Sequence, residues 1–140
     1  MSRGLGDVYK RQLLNKERLK IGKALGYDIH ALEDFAGVDK VDSWVPLYAM
    51  GHGCHNLTSI AGPNDINYRY LTEDIPIALV CWASIADQLG IETPIMDAVI
   101  TLVGVAHDTD WFKNGRTAEV LGISGRNAEE LNRYAKTGKF

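Results

Sequence analysis

Four groups of residues have the types and spacing to do chemistry. In Arg69-Tyr70-Leu71-Thr72-Glu73-Asp74, an arginine precedes an aspartate that opens a long apolar run. A helix N-terminus favours a carboxylate and fixes its geometry. Such an aspartate can hold one ring nitrogen of a histidine so that the other works as acid or base. Arg69 offers a planar fork of donors that matches a substrate carboxylate. The plainer reading of the same spacing is an N-cap aspartate with a surface arginine, or a salt bridge between the two. The second group is His52-Gly53-Cys54-His55, whose residue types could ligate a metal. No second cluster stands at ligand spacing, only His30 and His107, so the expectation is loop histidines and no metal. The third is His107-Asp108-Thr109-Asp110-Trp111. It reads as a catalytic pair or, more plainly, as a histidine favoured by a helix C-terminus with aspartates capping the next turn. The fourth, Gly115-Arg116-Thr117, lacks the spacing and the lysine of a phosphate loop and reads as a turn.

The elements that position these groups follow from periodicity. Leu13–Leu25 carries apolar residues at helical spacing, with Gly26 as its stop. Asp28 caps an expected short helix, Ile29–Phe35, and Trp44–Met50 is another, with Pro46 in its first turn. Gly51–Asn67 is rich in glycine, proline, asparagine and aspartate and has no period. A connection of that length is often functional. Thr72 or Asp74 is expected to cap a helix from Ile75 to Leu89 that is apolar nearly all round, the mark of a central helix. Gly90 ends it. Thr93 and Pro94 then open a second buried helix over Ile95–Val105. Short helices are expected at Thr117–Leu121 and Ala128–Tyr134. With no alternating strand pattern, the fold expected is an all-α bundle around two buried central helices.

The 140 residues fit one domain, and the net charge of −3 with a pI near 5.8 gives no basic face for nucleic acid. Two cysteines make no disulfide framework; Cys81, in an apolar run, reads as a buried thiol. No segment reads as a signal peptide or is apolar for long enough to span a bilayer, so no membrane partner and a cytoplasmic location are expected. Residues 1–12 (MSRGLGDVYKRQ) differ from the rest: glycines and basic residues with little apolar period. They are read as a non-native or disordered tail, with the domain at 13–140.

Taken as a set, the motifs carry a resemblance. They are Glu17-Arg18-Leu19, Ala24-Leu25-Gly26, Ile60-Ala61-Gly62-Pro63, Tyr68–Pro76, Gly90-Ile91-Glu92-Thr93-Pro94, Asp110-Trp111-Phe112, Gly115-Arg116-Thr117 and Leu121-Gly122. From about Leu13 to the end, the chain resembles the C-terminal helical domain of the octopine and nopaline (opine) dehydrogenases. The block from Arg69 to Asp74 is the most specific part. The resemblance implies a fold like the C-terminal domain of 6-phosphogluconate dehydrogenase. It also implies a two-domain enzyme whose N-terminal Rossmann domain binds NAD or NADP. Such enzymes condense an amino acid with a 2-oxo acid and reduce the imine. By position, Asp74 matches the aspartate that orients a catalytic histidine, and that histidine lies upstream of this chain. Arg69, with Tyr68 and Glu73 beside it, matches the carboxylate-binding position, and Gly51–Asn67 is expected to line the cleft. No Gly-x-Gly-x-x-Gly follows a strand here, so the cofactor belongs to the absent Rossmann domain, and no activity is expected of the chain alone. A homodimer is a further implied partner. The alternative is a non-catalytic helical module for dimerisation or partner binding. A dehydrogenase acting on a 2-hydroxy acid or a polyol phosphate fits the Arg69–Asp74 block less well.

Overall fold

The computed structural model describes residues 5–29 and 64–140. Every element among them is helical, and no strand occurs among them. The helices expected at 29–35 and 44–50, and the loop up to residue 63, lie outside the described residues.

Helix α1 spans Leu5–Ala24. It therefore starts earlier than the expected Leu13, inside the segment read as a tail. No proline interrupts that segment, and a helix once nucleated extends at little cost. Its end is the expected one. Gly26 adopts φ +79, which only glycine takes without strain, and the Tyr27 N–H returns to the Gly22 carbonyl at 2.9 Å.

The helix expected at Ile75–Leu89 has a different beginning. Helical backbone starts at Arg69, behind an extended Tyr68, in a single turn α2 (Arg69–Thr72). A π-helical segment follows at Asp74–Leu79 and leads into α3 (Val80–Gln88). Neither Thr72 nor Asp74 is an N-cap; no side chain caps either start. The physical reason is Pro76. It has no N–H to offer the carbonyl one turn back, and its ring crowds that carbonyl. The segment widens instead of stopping, and the Val80 N–H reaches back to Ile75. The Pro76 carbonyl accepts the Arg116 N–H at 2.8 Å.

Helix α4 (Pro94–Ala106) starts as expected, with Thr93 at the N-cap and Pro94 at the first position. The Thr93 side chain, however, does not cap it. The Ile95 and Met96 N–H groups donate to the two carboxylate oxygens of Glu17 on α1, at 2.8 and 2.9 Å. Glu17 is buried, 4% exposed, and one turn later Ile21 enters the core. A charged cap and an apolar contact on one face of α1 lock the two helices together.

The core joins Ile21, Leu79, Val80, Ala83, Ala86, Met96, Ile100 and Val103. The two central helices are buried on this side only. Trp82 is 38% exposed on α3, and Leu102 and Val105 are 72% and 76% exposed on α4. An all-round apolar composition thus overstates their burial, because the described residues cover one stripe of each. Beyond α4 comes α5 (Trp111–Asn114), with the Asp110 side chain accepting from the Phe112 N–H. The helix expected at Thr117–Leu121 is a single hydrogen-bonded turn, closed by Gly122 at φ +70. One turn has too few bonds to continue past such a stop. Helix α6 (Ala128–Thr137) closes a small second cluster of Ala118, Ile123 and Leu131. Asn127 and Glu130 exchange hydrogen bonds at its start, a capping box.

Candidate functional site

The residues expected to do chemistry lie at the head of the composite helix. Arg69 and Glu73 are both exposed, and they pair at 3.4 Å across one turn. The partner of Arg69 is thus Glu73, not Asp74. An exposed pair of this kind adds little stability. Tyr68, half-buried, packs edge-to-face on Tyr70 with ring centroids 5.1 Å apart.

Asp74 occupies the first turn of the π segment and is exposed. Its neighbours Ile75 and Pro76 are buried. An exposed carboxylate thus stands beside a buried foot, and no partner for it occurs among the described residues. The foot is held from the other side. Gly115 packs so closely that a Cβ there would lie 2.6 Å from the Trp111 carbonyl, 2.8 Å from the Pro76 carbonyl and 2.9 Å from Val80 Cγ1. Gly115-Arg116-Thr117 is a turn, as expected, and its use is to brace the π segment.

His107 stands at the C-cap of α4. Its Nδ1 is 2.8 Å from the Val103 carbonyl oxygen, and its Nε2 is 2.6 Å from that of Ile66. Asp108 takes φ +49 and reverses the chain, and Asp110 caps α5. The plain reading of this group holds for both aspartates: they shape the turn. A groove of about 420 Å³ runs along this end of α4, lined by Gly104, Val105, Asp108, Asp110, Trp111 and Phe112. A second cavity of about 320 Å³ opens between α1, α3 and α6, against Leu25, Ile85 and Leu131. Neither cavity is lined by Arg69, Glu73 or Asp74.

The His52–His55 cluster lies outside the described residues. Among the described residues, no group of three or more potential ligands could hold a metal. Nor do they offer a nicotinamide dinucleotide the strand and glycine-rich turn that would cradle its phosphates. No helix among them is long and apolar enough to cross a membrane. Cys81 is a free, half-buried thiol that burial pushes above its usual range, an effect the Arg116 charge partly offsets.

Two features escaped the sequence reading. Glu17 caps a helix 78 positions away, and His107 reaches the strand of chain that enters the site. A Glu inside an amphipathic helix and a His at a helix end carry no signal of such distant partners.

The composite helix, its Arg69–Asp74 head and the helix that follows fall within one family signature. Residues 9–107 match the family described as NAD/NADP octopine/nopaline dehydrogenase, alpha-helical domain. The chain belongs to the octopine/nopaline dehydrogenase family. Over 115 residues it is 33% identical to an opine dehydrogenase of Arthrobacter sp. (strain 1C), covering 82% of this chain and 32% of that protein. It is 30% identical to the ocs protein of Agrobacterium vitis, over 86% of this chain and 34% of that one. A vitopine synthase of Allorhizobium ampelinum is likewise 30% identical, over 86% of this chain and 33% of its own length. The chain thus spans about a third of the length of the curated relatives it matches.

Proposed function

We propose that this chain is the substrate-binding, helical part of an NAD(P)-dependent opine dehydrogenase. The reaction is the reductive condensation of an amino acid with a 2-oxo acid. The observation that carries this reading is the exposed Asp74 carboxylate on its buried foot, within a family match that spans the whole Arg69–Asp74 block. In this reading Asp74 accepts a hydrogen bond from one ring nitrogen of a histidine on the rest of the protein. That bond fixes the tautomer and leaves the other nitrogen to move the proton. Arg69 leaves Glu73 and binds a substrate carboxylate through two parallel hydrogen bonds. Tyr68 and Glu73 lie beside the bound carboxylate in this reading, Glu73 also holding the guanidinium before substrate arrives. The cofactor is held outside these 140 residues, and the chain alone has no dehydrogenase activity.

Two substitutions in the full-length protein test the assignment. Asp74→Asn keeps the side chain's size and removes its charge, and it is expected to lower kcat on the order of 100-fold. Arg69→Lys keeps the charge and removes the fork, and it is expected to raise KM for a carboxylate substrate about tenfold. Wild-type kcat in Asp74→Asn would remove the catalytic assignment.

A second reading, a helical module for dimerisation or partner binding, is favoured by the exposed Leu102 and Val105 on α4. The two readings are compatible. Sedimentation of the wild-type chain and of Leu102→Glu measures it: a dimer that the substitution splits supports a contact surface, and a monomer in both removes it.

A further inference from the structure

His107 is a half-buried side chain that the proposed chemistry does not use. It touches two carbonyl oxygens from different parts of the chain: Val103 through Nδ1, one turn back on its own helix, and Ile66 through Nε2. Ile66 lies in the turn that delivers the site. Within that turn the Asp65 carboxylate accepts the Asn67 N–H at 2.6 Å, and the Tyr68 N–H returns to the Asp65 carbonyl at 3.4 Å. Tyr68 is then the N-cap of α2, and its carbonyl accepts the Leu71 N–H at 2.8 Å. No side chain caps that start. Ile66 itself is exposed.

We infer that His107 is a positioning residue: an N–H at Nε2 donates to the Ile66 carbonyl and pins the turn that sets Tyr68 and Arg69, while Nδ1 lies beside the Val103 carbonyl of α4. This rests on the reading of Arg69 as a carboxylate-binding residue. Asp74 is fixed by other means, its buried neighbours and the Gly115–Arg116 brace on Pro76. The clamp therefore acts on binding and leaves catalysis alone.

The two ends of the ring can be separated chemically. An asparagine amide nitrogen takes the place of Nδ1 and a glutamine amide nitrogen that of Nε2. His107→Asn places a donor at Val103 and none at Ile66; His107→Gln does the reverse. If His107 merely finished α4, asparagine would be the better substitute. In the full-length protein, His107→Asn is expected to raise KM for the carboxylate substrate on the order of tenfold. His107→Gln is expected to return it to within about twofold, and kcat should stay within about twofold in both. Amide exchange in the same proteins needs no activity. Leu71 and Glu73 should exchange on the order of tenfold faster in His107→Asn than in His107→Gln. Equal exchange at Leu71 and Glu73 in the two variants overturns the clamp. Unequal exchange with unchanged KM upholds the clamp and removes Arg69 from substrate binding instead.

Discussion

At the scale of single residues, the chain puts charge where backbone groups or ligands can use it. Glu17 is the clearest case. Pro94 has no N–H, so the first orphan donors of α4 are those of Ile95 and Met96, and one carboxylate serves both. Glu17→Gln keeps the shape but offers one acceptor oxygen in place of two, and turns an amide against a backbone donor. It should destabilise the chain by about 1.5–3 kcal/mol, read as a lower denaturant midpoint with an unchanged slope. Glu130 gives a pH signature. The Asn127 backbone N–H first, and then Arg126, hold its carboxyl below the usual carboxylate range. A lowered value in the folded state means that the unfolded chain takes up the proton more readily. Its contribution is complete above the ordinary glutamate value and fades as pH falls through the lowered one. Thermal unfolding of wild type and Glu130→Gln should therefore differ near neutrality and converge in acid. The sequence could propose a site because Arg69–Asp74 is a contiguous block with a chemical pattern, and the structure adds that this block heads the composite helix. The partners of Glu17 and His107 were not legible, because they are distant in the chain; the Arg69–Glu73 pair at i,i+4 was missed because the helix was expected to start only at Ile75.

At the scale of elements, stops and starts separate into two kinds. The C-terminal stops were legible, since Gly26 and Gly90 both take positive φ where a helix must reverse. The start of the composite helix was not. Thr72 and Asp74 are good capping types and Pro76 a good first-turn residue, so propensity places the beginning there. Tertiary support overrides it: the Arg116 N–H and the close-packed Gly115 make a π segment tolerable, and the helix continues back to Arg69. This moves Asp74 from a cap, with its oxygens turned to its own backbone, to an exposed helical position. Gly115→Ala drives a methyl group into two carbonyl oxygens and Val80. It should cost about 1–3 kcal/mol in stability, measured by urea unfolding, and lower activity together with stability. Gly122→Ala, whose Cβ would meet nothing within 4 Å, should leave the π segment untouched and pay only for its positive φ.

At the scale of the whole molecule, the described helices form one core from α1, the π segment, α3 and α4. The apolar period was enough to read that all-α architecture. It was not enough to say which face of each central helix is covered, because the same residues serve a core or an exposed stripe. The proposed function makes one claim at this scale: this chain supplies half of a catalytic centre and none of the cofactor site. The direct test joins the chain to the Rossmann domain of an opine dehydrogenase and follows NADH and NADPH oxidation with pyruvate and a panel of amino acids, beside the 140-residue chain alone. The account predicts oxidation by the joined protein only when both substrates are present, and none by the chain alone. Oxidation by the chain alone, or a folded, cofactor-binding joined protein that is inert with every pair, would contradict it.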